Sequence, residues 1–291
     1  MALAGNRQKG VVRRREAGPG GDLSYLRRAA ALYFRLVGAS IRARMQYKAN
    51  FILTLLIYGL LFAVDFIIIA VILYRFRQIN TWSLYEVGLL FGTTSLARGI
   101  SEVFARELDV FERYLIDGYF DSLLIRPWPT LFILLTRNID PSRGGAILQG
   151  VLVLLISCSR LVETGELTRP AALYISLLLP VAGALIYFAL VVATAASGFW
   201  LTRIGELRVF TMYAPTAAAS YPLEIYPGFL RGLLYSVVPI AFAGYVPVRY
   251  LLGRGGSTFD LVAPFLVAAV AFAAAYRFWQ AGERRYTSTG S

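Results

Sequence analysis

The chain has 291 residues, 57% hydrophobic and 16% charged, whereas soluble domains are near half apolar and a quarter charged. Its net charge of +12 is almost all arginine, Lys9 and Lys48 being the sole lysines, with no histidine and a single cysteine, Cys158. These counts exclude histidine acid–base chemistry, histidine metal sites and an intrachain disulfide.

Several apolar runs approach the 20 or so residues that cross about 30 Å of hydrocarbon. Backbone in lipid must satisfy its own hydrogen bonds, so the composition predicts an all-α polytopic membrane protein. A charge this basic would suggest nucleic acid in a soluble protein. Here cytoplasmic loops that collect arginine explain it better, and no nucleic-acid partner is expected.

Residues 1–21 (with VVRRREAGPGG) read as a disordered basic leader rather than a cleavable signal, because no short apolar stretch and cleavage site follow. Over 22–48, Leu23, Leu26, Ala30, Tyr33, Phe34, Val37 and Ile41 alternate with Arg27, Arg28, Arg35, Arg42, Arg44 and Lys48. A basic amphipathic helix of this kind lies in the interface and is drawn to anionic headgroups; a partner-binding helix is the alternative.

The membrane-spanning body covers 49–280, with predicted crossings at about 49–74, 83–101, 144–162, 171–201, 209–222 and 260–279, six in all. Asp65 is the only acid well inside an apolar run, which on insertion scales costs roughly 2.5–3.5 kcal/mol. It reads either as a contact to a polar or cationic substrate group, or as an interhelical pair or outer-headgroup residue. Tyr58 and Phe62 beside it suit a hydrophobic or amphipathic cargo, and equally packing or interface anchoring. Pro180 predicts a kink in the fourth crossing.

Between the second and third crossings lies the one long polar interruption, Arg98 to Pro129, which must sit in water at a membrane face. Phe104, Leu108, Phe111 and Leu115 form one helical stripe, and Glu102–Arg106 and Asp109–Arg113 are spaced as i, i+4 pairs. Asp117-Gly118 signals a turn, and Tyr119 to Ile125 forms a short second helix stopped at Arg126-Pro127. The segment 102–129 reads as a docking device or as a solvated connector.

Residues 222–252 are apolar but broken by Pro222, Pro227, Pro239 and Pro247. Broken backbone at membrane depth is tolerated where protein buries it, so a re-entrant hairpin on the outer side fits. Residues 281–291 form a polar tail. With the N-terminus inside and six crossings, 22 of the 29 basic residues fall on the inner side. This bias places segment 102–129 and both termini in the cytoplasm.

No G-x-x-x-x-G-K-[ST] loop, G-x-S-x-G, CxxC or cluster with ligand spacing occurs, so no catalysis and no cofactor is expected of this chain. With nothing to supply energy, such a chain suggests a permease driven by a separate subunit.

Three local patterns carry a family resemblance. GYFDSLLIRPWP, YPLEIYP with its proline-broken sequel, and the ending FWQAGERRYTSTGS are similar, in that order, to segments of a bacterial branch of the ABC-2 permeases. These are the membrane subunits of type-2 ABC exporters, and the resemblance covers the chain from about residue 25. It implies the bacterial plasma (inner) membrane and a dimeric pathway with a second permease copy, identical or paralogous. It also implies a P-loop ATPase partner that uses the ATP and pushes through a coupling helix. On this sequence that helix would run from Asp117 to Ile125 and be ended by Pro127, with Asp117, Gly118, Phe120, Asp121, Leu124, Arg126 and Pro127 as the coupling residues. Phe120 and Leu124 would be its apolar knobs, and Asp121 its cap or charged contact. The alternative is a non-transporting membrane scaffold or assembly factor.

Overall fold

The computed structural model of the chain describes residues 46–76, 81–201 and 203–287, with isolated positions 31, 35, 38, 39 and 42. The leader 1–21 and most of the expected interfacial helix 22–48 lie outside the described residues. So do the side chains of Tyr58, Phe62 and Asp65, although their backbone is helical.

The described residues form helices and no strand. The long ones are α1 (Lys48–Phe76), α2 (Leu84–Phe104), α7 (Gly145–Glu163), α8 (Arg169–Leu201) and α12 (Ala263–Arg285). Short helices α3 (Arg106–Asp109), α4 (Phe111–Ile116), α5 (Asp121–Leu124) and α6 (Thr130–Arg137) connect α2 to α7. Among the described residues α7, α8 and α12 are each long and apolar enough to cross a membrane. This is an all-α membrane protein.

Helix α2 begins with a capping box in which the Ser83 hydroxyl accepts from the Glu86 amide while Glu86 accepts from the Ser83 amide. Two orphan amides are thereby satisfied. The helix then runs antiparallel to α7 at a separation set by glycine. A Cβ on Gly92 would lie 3.1 Å from the Leu154 amide nitrogen, and one on Gly150 would lie 2.7 Å from that of Leu96. Gly150, inside the third apolar run, is therefore a contact point. Small residues let membrane helices approach until backbones touch.

Helix α8 runs parallel to α12, with Tyr174 near Phe265, Phe188 stacked on Phe272 and Trp200 stacked on Phe278. The chain must therefore return between Leu201 and Ala263, and it does so in steps. Gly205–Arg208, Val209–Tyr213 and Ala214–Ala219 form one helix, α9. Its 15 residues rise about 22 Å, short of the hydrocarbon thickness, so the span expected at 209–222 does not cross alone. The rest of the return comprises α10 (Gly228–Ser236) and α11 (Tyr245–Leu251), two short helices packed through Leu234, Tyr245, Val246 and Val248.

Both α8 and α9 contain a π-turn, at Tyr174–Leu178 and Val209–Tyr213, and each ends two residues before a proline, Pro180 and Pro215. A proline removes one backbone donor and clashes with the carbonyl four residues back. The wider turn accommodates that clash without breaking the helix.

Candidate functional site

Polar side chains gather at the two ends of the helices. At one end Glu86, buried at 5% exposure, accepts from Arg254 Nε at 2.8 Å and Nη2 at 2.9 Å. The guanidinium also lies 4.7 Å from the Trp82 ring. Glu86 is thus already matched by a cation of its own chain, as a buried carboxylate must be.

The other end carries the segment singled out in the sequence. The stripe Leu108, Phe111 and Leu115 is buried, but the helix breaks at Ala105 and Val110, so Phe104 is left 37% exposed. The expected pairs Glu102–Arg106 and Asp109–Arg113 give way to other partners. Glu102 pairs back to Arg98 at 2.7 Å, Arg106 reaches Asp140 at 3.9 Å, and Arg208 pairs with Asp109 at 2.7 Å.

Helix α4 ends at the Asp117-Gly118 turn, where Gly118 takes φ +69°. That left-handed conformation is open to glycine and costly for a residue bearing Cβ. The Phe120 amide then donates to the Tyr114 carbonyl at 3.0 Å, folding the chain back beneath α4.

This reversal puts Phe120 inside. Its ring is fully buried, 5.6 Å from Phe111, 5.2 Å from Phe199 and 4.8 Å from Tyr286, and Trp279 lies 4.8 Å from Phe111. The expectation that Phe120 is a surface knob is therefore corrected: it anchors the segment within the protein. Leu123 is buried beside it and Leu124 is partly buried. Asp121 and Gly118 are half-buried, while Asp117, Arg126 and Pro127 are exposed.

The apolar side chains presented outward are Ile116 at 47%, Tyr119 at 63% and Ile125 at 85% exposure. Phe120 and Leu123 lie three apart, the spacing of an inward face. Extending that spacing through α5 would have placed Tyr119 and Ile125 outside.

The last helix closes over this segment. Trp279 Nε1 donates to Thr130 Oγ1 at 3.2 Å, and Thr130 donates to Glu283 at 3.2 Å. Burial, with the charge of Asp121 nearby, pushes the Tyr286 hydroxyl up to about 12. Burial, then the hydrogen bond it donates to Glu107, likewise holds the Tyr114 hydroxyl well above its ordinary range.

Beside the segment, α2, α3, α4, α8 and α9 enclose a cavity of about 670 Å³. It is polar, with Arg98, Arg106, Arg113 and Arg208 facing Glu102, Asp109 and Glu112. Glu112 accepts from the Ile204 amide at 2.9 Å, and Tyr213 lies 5.9 Å from the Arg98 guanidinium and 6.0 Å from that of Arg208. Among the described residues no group of three or more acids and cysteines could hold a metal ion.

The molecule is thus a helical membrane protein with polar clusters at both ends of its helices and a buried aromatic hub at one of them. The family model described as ABC-2 family transporter protein matches residues 60–290. The chain belongs to the ABC-2 transporter family, and its family supports a permease subunit with an ABC ATPase as partner. Among curated proteins, none matches the chain significantly.

Proposed function

We propose that this chain forms half of the pathway of an ATP-driven exporter in a bacterial inner membrane, pairing with a second permease copy. Its termini lie in the cytoplasm and the return between α8 and α12 supplies the fifth of six crossings. The cargo is hydrophobic or amphipathic, with a cationic group as one option at Asp65. Hydrolysis belongs to the ATPase partner, and this chain carries no catalysis and no cofactor of its own.

Residues 117–127 are the segment through which the ATPase pushes. The observation that carries this reading is the two-sided build of that segment. Phe120 and Leu123 lock it to the protein, while Tyr119 and Ile125 stand 63% and 85% exposed beside Arg126 and Pro127. A contact fixed on one face and apolar on the other is suited to receive a partner and to pass its displacement inward. Through the hub, a push on Tyr119 or Ile125 reaches α8 at Phe199 and α12 at Trp279.

The test is co-purification of tagged protein from its native cell. A stoichiometric ATPase is expected with the wild type and is expected to be lost with Ile125→Asp and Tyr119→Asp. Neither variant should alter the protein's thermal melting, since surface changes fall within about 0.5 kcal/mol. Retention of the ATPase by both variants would remove the docking assignment, and its absence from the wild type would favour a scaffold.

A further inference from the structure

We infer that the arginine-lined cavity beside this segment binds the phosphate group of an anionic membrane amphiphile. The argument starts from which charges are already engaged. Glu102 holds Arg98 at 2.7 Å, Asp109 holds Arg208 at 2.7 Å, and Glu112 holds the Ile204 amide at 2.9 Å. Every carboxylate in the lining therefore has a partner. The arginines are less fully engaged. Arg106 has only its 3.9 Å approach to Asp140, and Arg113 makes no ion pair among the described residues. The capacity left over is cationic, so the site selects an anion.

Chemistry and shape narrow the anion. Guanidinium presents paired N–H donors that match two phosphate oxygens, a geometry that a lysine does not offer. Arg106 and Arg113 are seven positions apart, with both side chains lining the one cavity. A volume of about 670 Å³ exceeds what a bare phosphate fills and suits a headgroup. Apolar side chains of the lining are open to the outside, with Ile116 at 47% and Tyr213 at 50% exposure. A ligand with its phosphate inside and its acyl chains along Ile116 and Tyr213 matches both parts. The inference rests on the reading above that this end lies at the cytoplasmic face of the bilayer.

The probe is full-length protein in mild detergent, examined by native mass spectrometry after titration with phosphatidylglycerol, phosphatidylcholine or inorganic phosphate. Wild type is expected to retain one phosphatidylglycerol more tightly than phosphatidylcholine. In Arg106→Gln/Arg113→Gln that affinity should fall about tenfold or more, as for lost charge-assisted hydrogen bonds. Arg113→Gln alone alters an exposed side chain, so it keeps the test valid if the double variant fails to fold. Arg284→Gln/Arg285→Gln, changed at the exposed end of α12, should leave retention unchanged and so separates a site from general surface charge.

Equal displacement by inorganic phosphate, with no lipid retained, would assign the same site to a free phosphate. Retention unaffected by loss of Arg106 and Arg113 would overturn the proposal. That failure would leave ATPase capture intact, so it is distinguishable from failure of the exporter reading.

Discussion

The two cores of this protein are built on opposite plans. Where α2 crosses α7, the geometry is set by missing side chains: Gly92 and Gly150 admit the opposing backbone, and branched aliphatics such as Val87 and Leu154 fill the flanks. At the other end the geometry is set by the largest side chains, with Phe111, Phe120, Phe199, Trp279 and Tyr286 meeting at ring centroid distances of 4.8–6.5 Å. The first plan joins two helices along their length, as membrane helices without a hydrophobic drive between them must do. The second joins short segments far apart in sequence at one point, as an aqueous core does. A rigid crossing at one place and a hub of interlocked rings at the other divide the molecule into a frame and a joint.

Substitutions can break that contrast. The largest effect is expected at the hub, where Phe120→Ala should cost about 3–5 kcal/mol, the usual range for a buried phenylalanine. A lowered melting temperature in detergent and a red-shifted Trp279 fluorescence would report it. Unchanged melting would show that the rings do not hold the segment. At the crossing, Gly150→Val should cost about 3 kcal/mol by forcing the backbones apart, with Gly150→Ala milder, and folded yield after solubilisation is the measurement. If the alanine variant were as stable as wild type, α2 and α7 would have slack that their spacing does not show.

The smallest effect is expected from pH. The Tyr286 hydroxyl is raised to about 12, against about 10 for the free side chain. Its contribution is therefore fully present below about pH 10 and is lost as pH rises through about 12. Trp279 fluorescence should stay flat to pH 10 and change above it, and Tyr286→Phe should remove most of that change.

Much of the frame was legible because its signals are local. Apolar length marked α7, α8 and α12, Asp117-Gly118 marked the turn, and Pro127 marked the end of the short helix. The hub was not legible, because its rings come from positions 111, 120, 199, 279 and 286, and no period links them. The direction of Phe120 depends on the Phe120 amide reaching the Tyr114 carbonyl, which inverts the segment relative to a simple amphipathic reading. The breaks at Ala105 and Val110 involve neither glycine nor proline, so nothing in composition announces them. The stretch expected to cross at 209–222 differs for another reason: its helix ends at Ala219, and the prolines that follow divide the rest of the return among short helices.

The π-turns of α8 and α9 have a further consequence, for phase. Each adds about one residue to a single turn, and one residue is about 100° of rotation about a helix axis. Side chains beyond Leu178 or Tyr213 are therefore out of step with those before: Ile175 and Tyr187 would lie about 120° apart on a regular helix, yet both are fully buried. Deleting one residue from either wide turn would rotate everything downstream as a block, turning the buried sides of Tyr187 and Thr194, or of Thr216 and Ala219, outward.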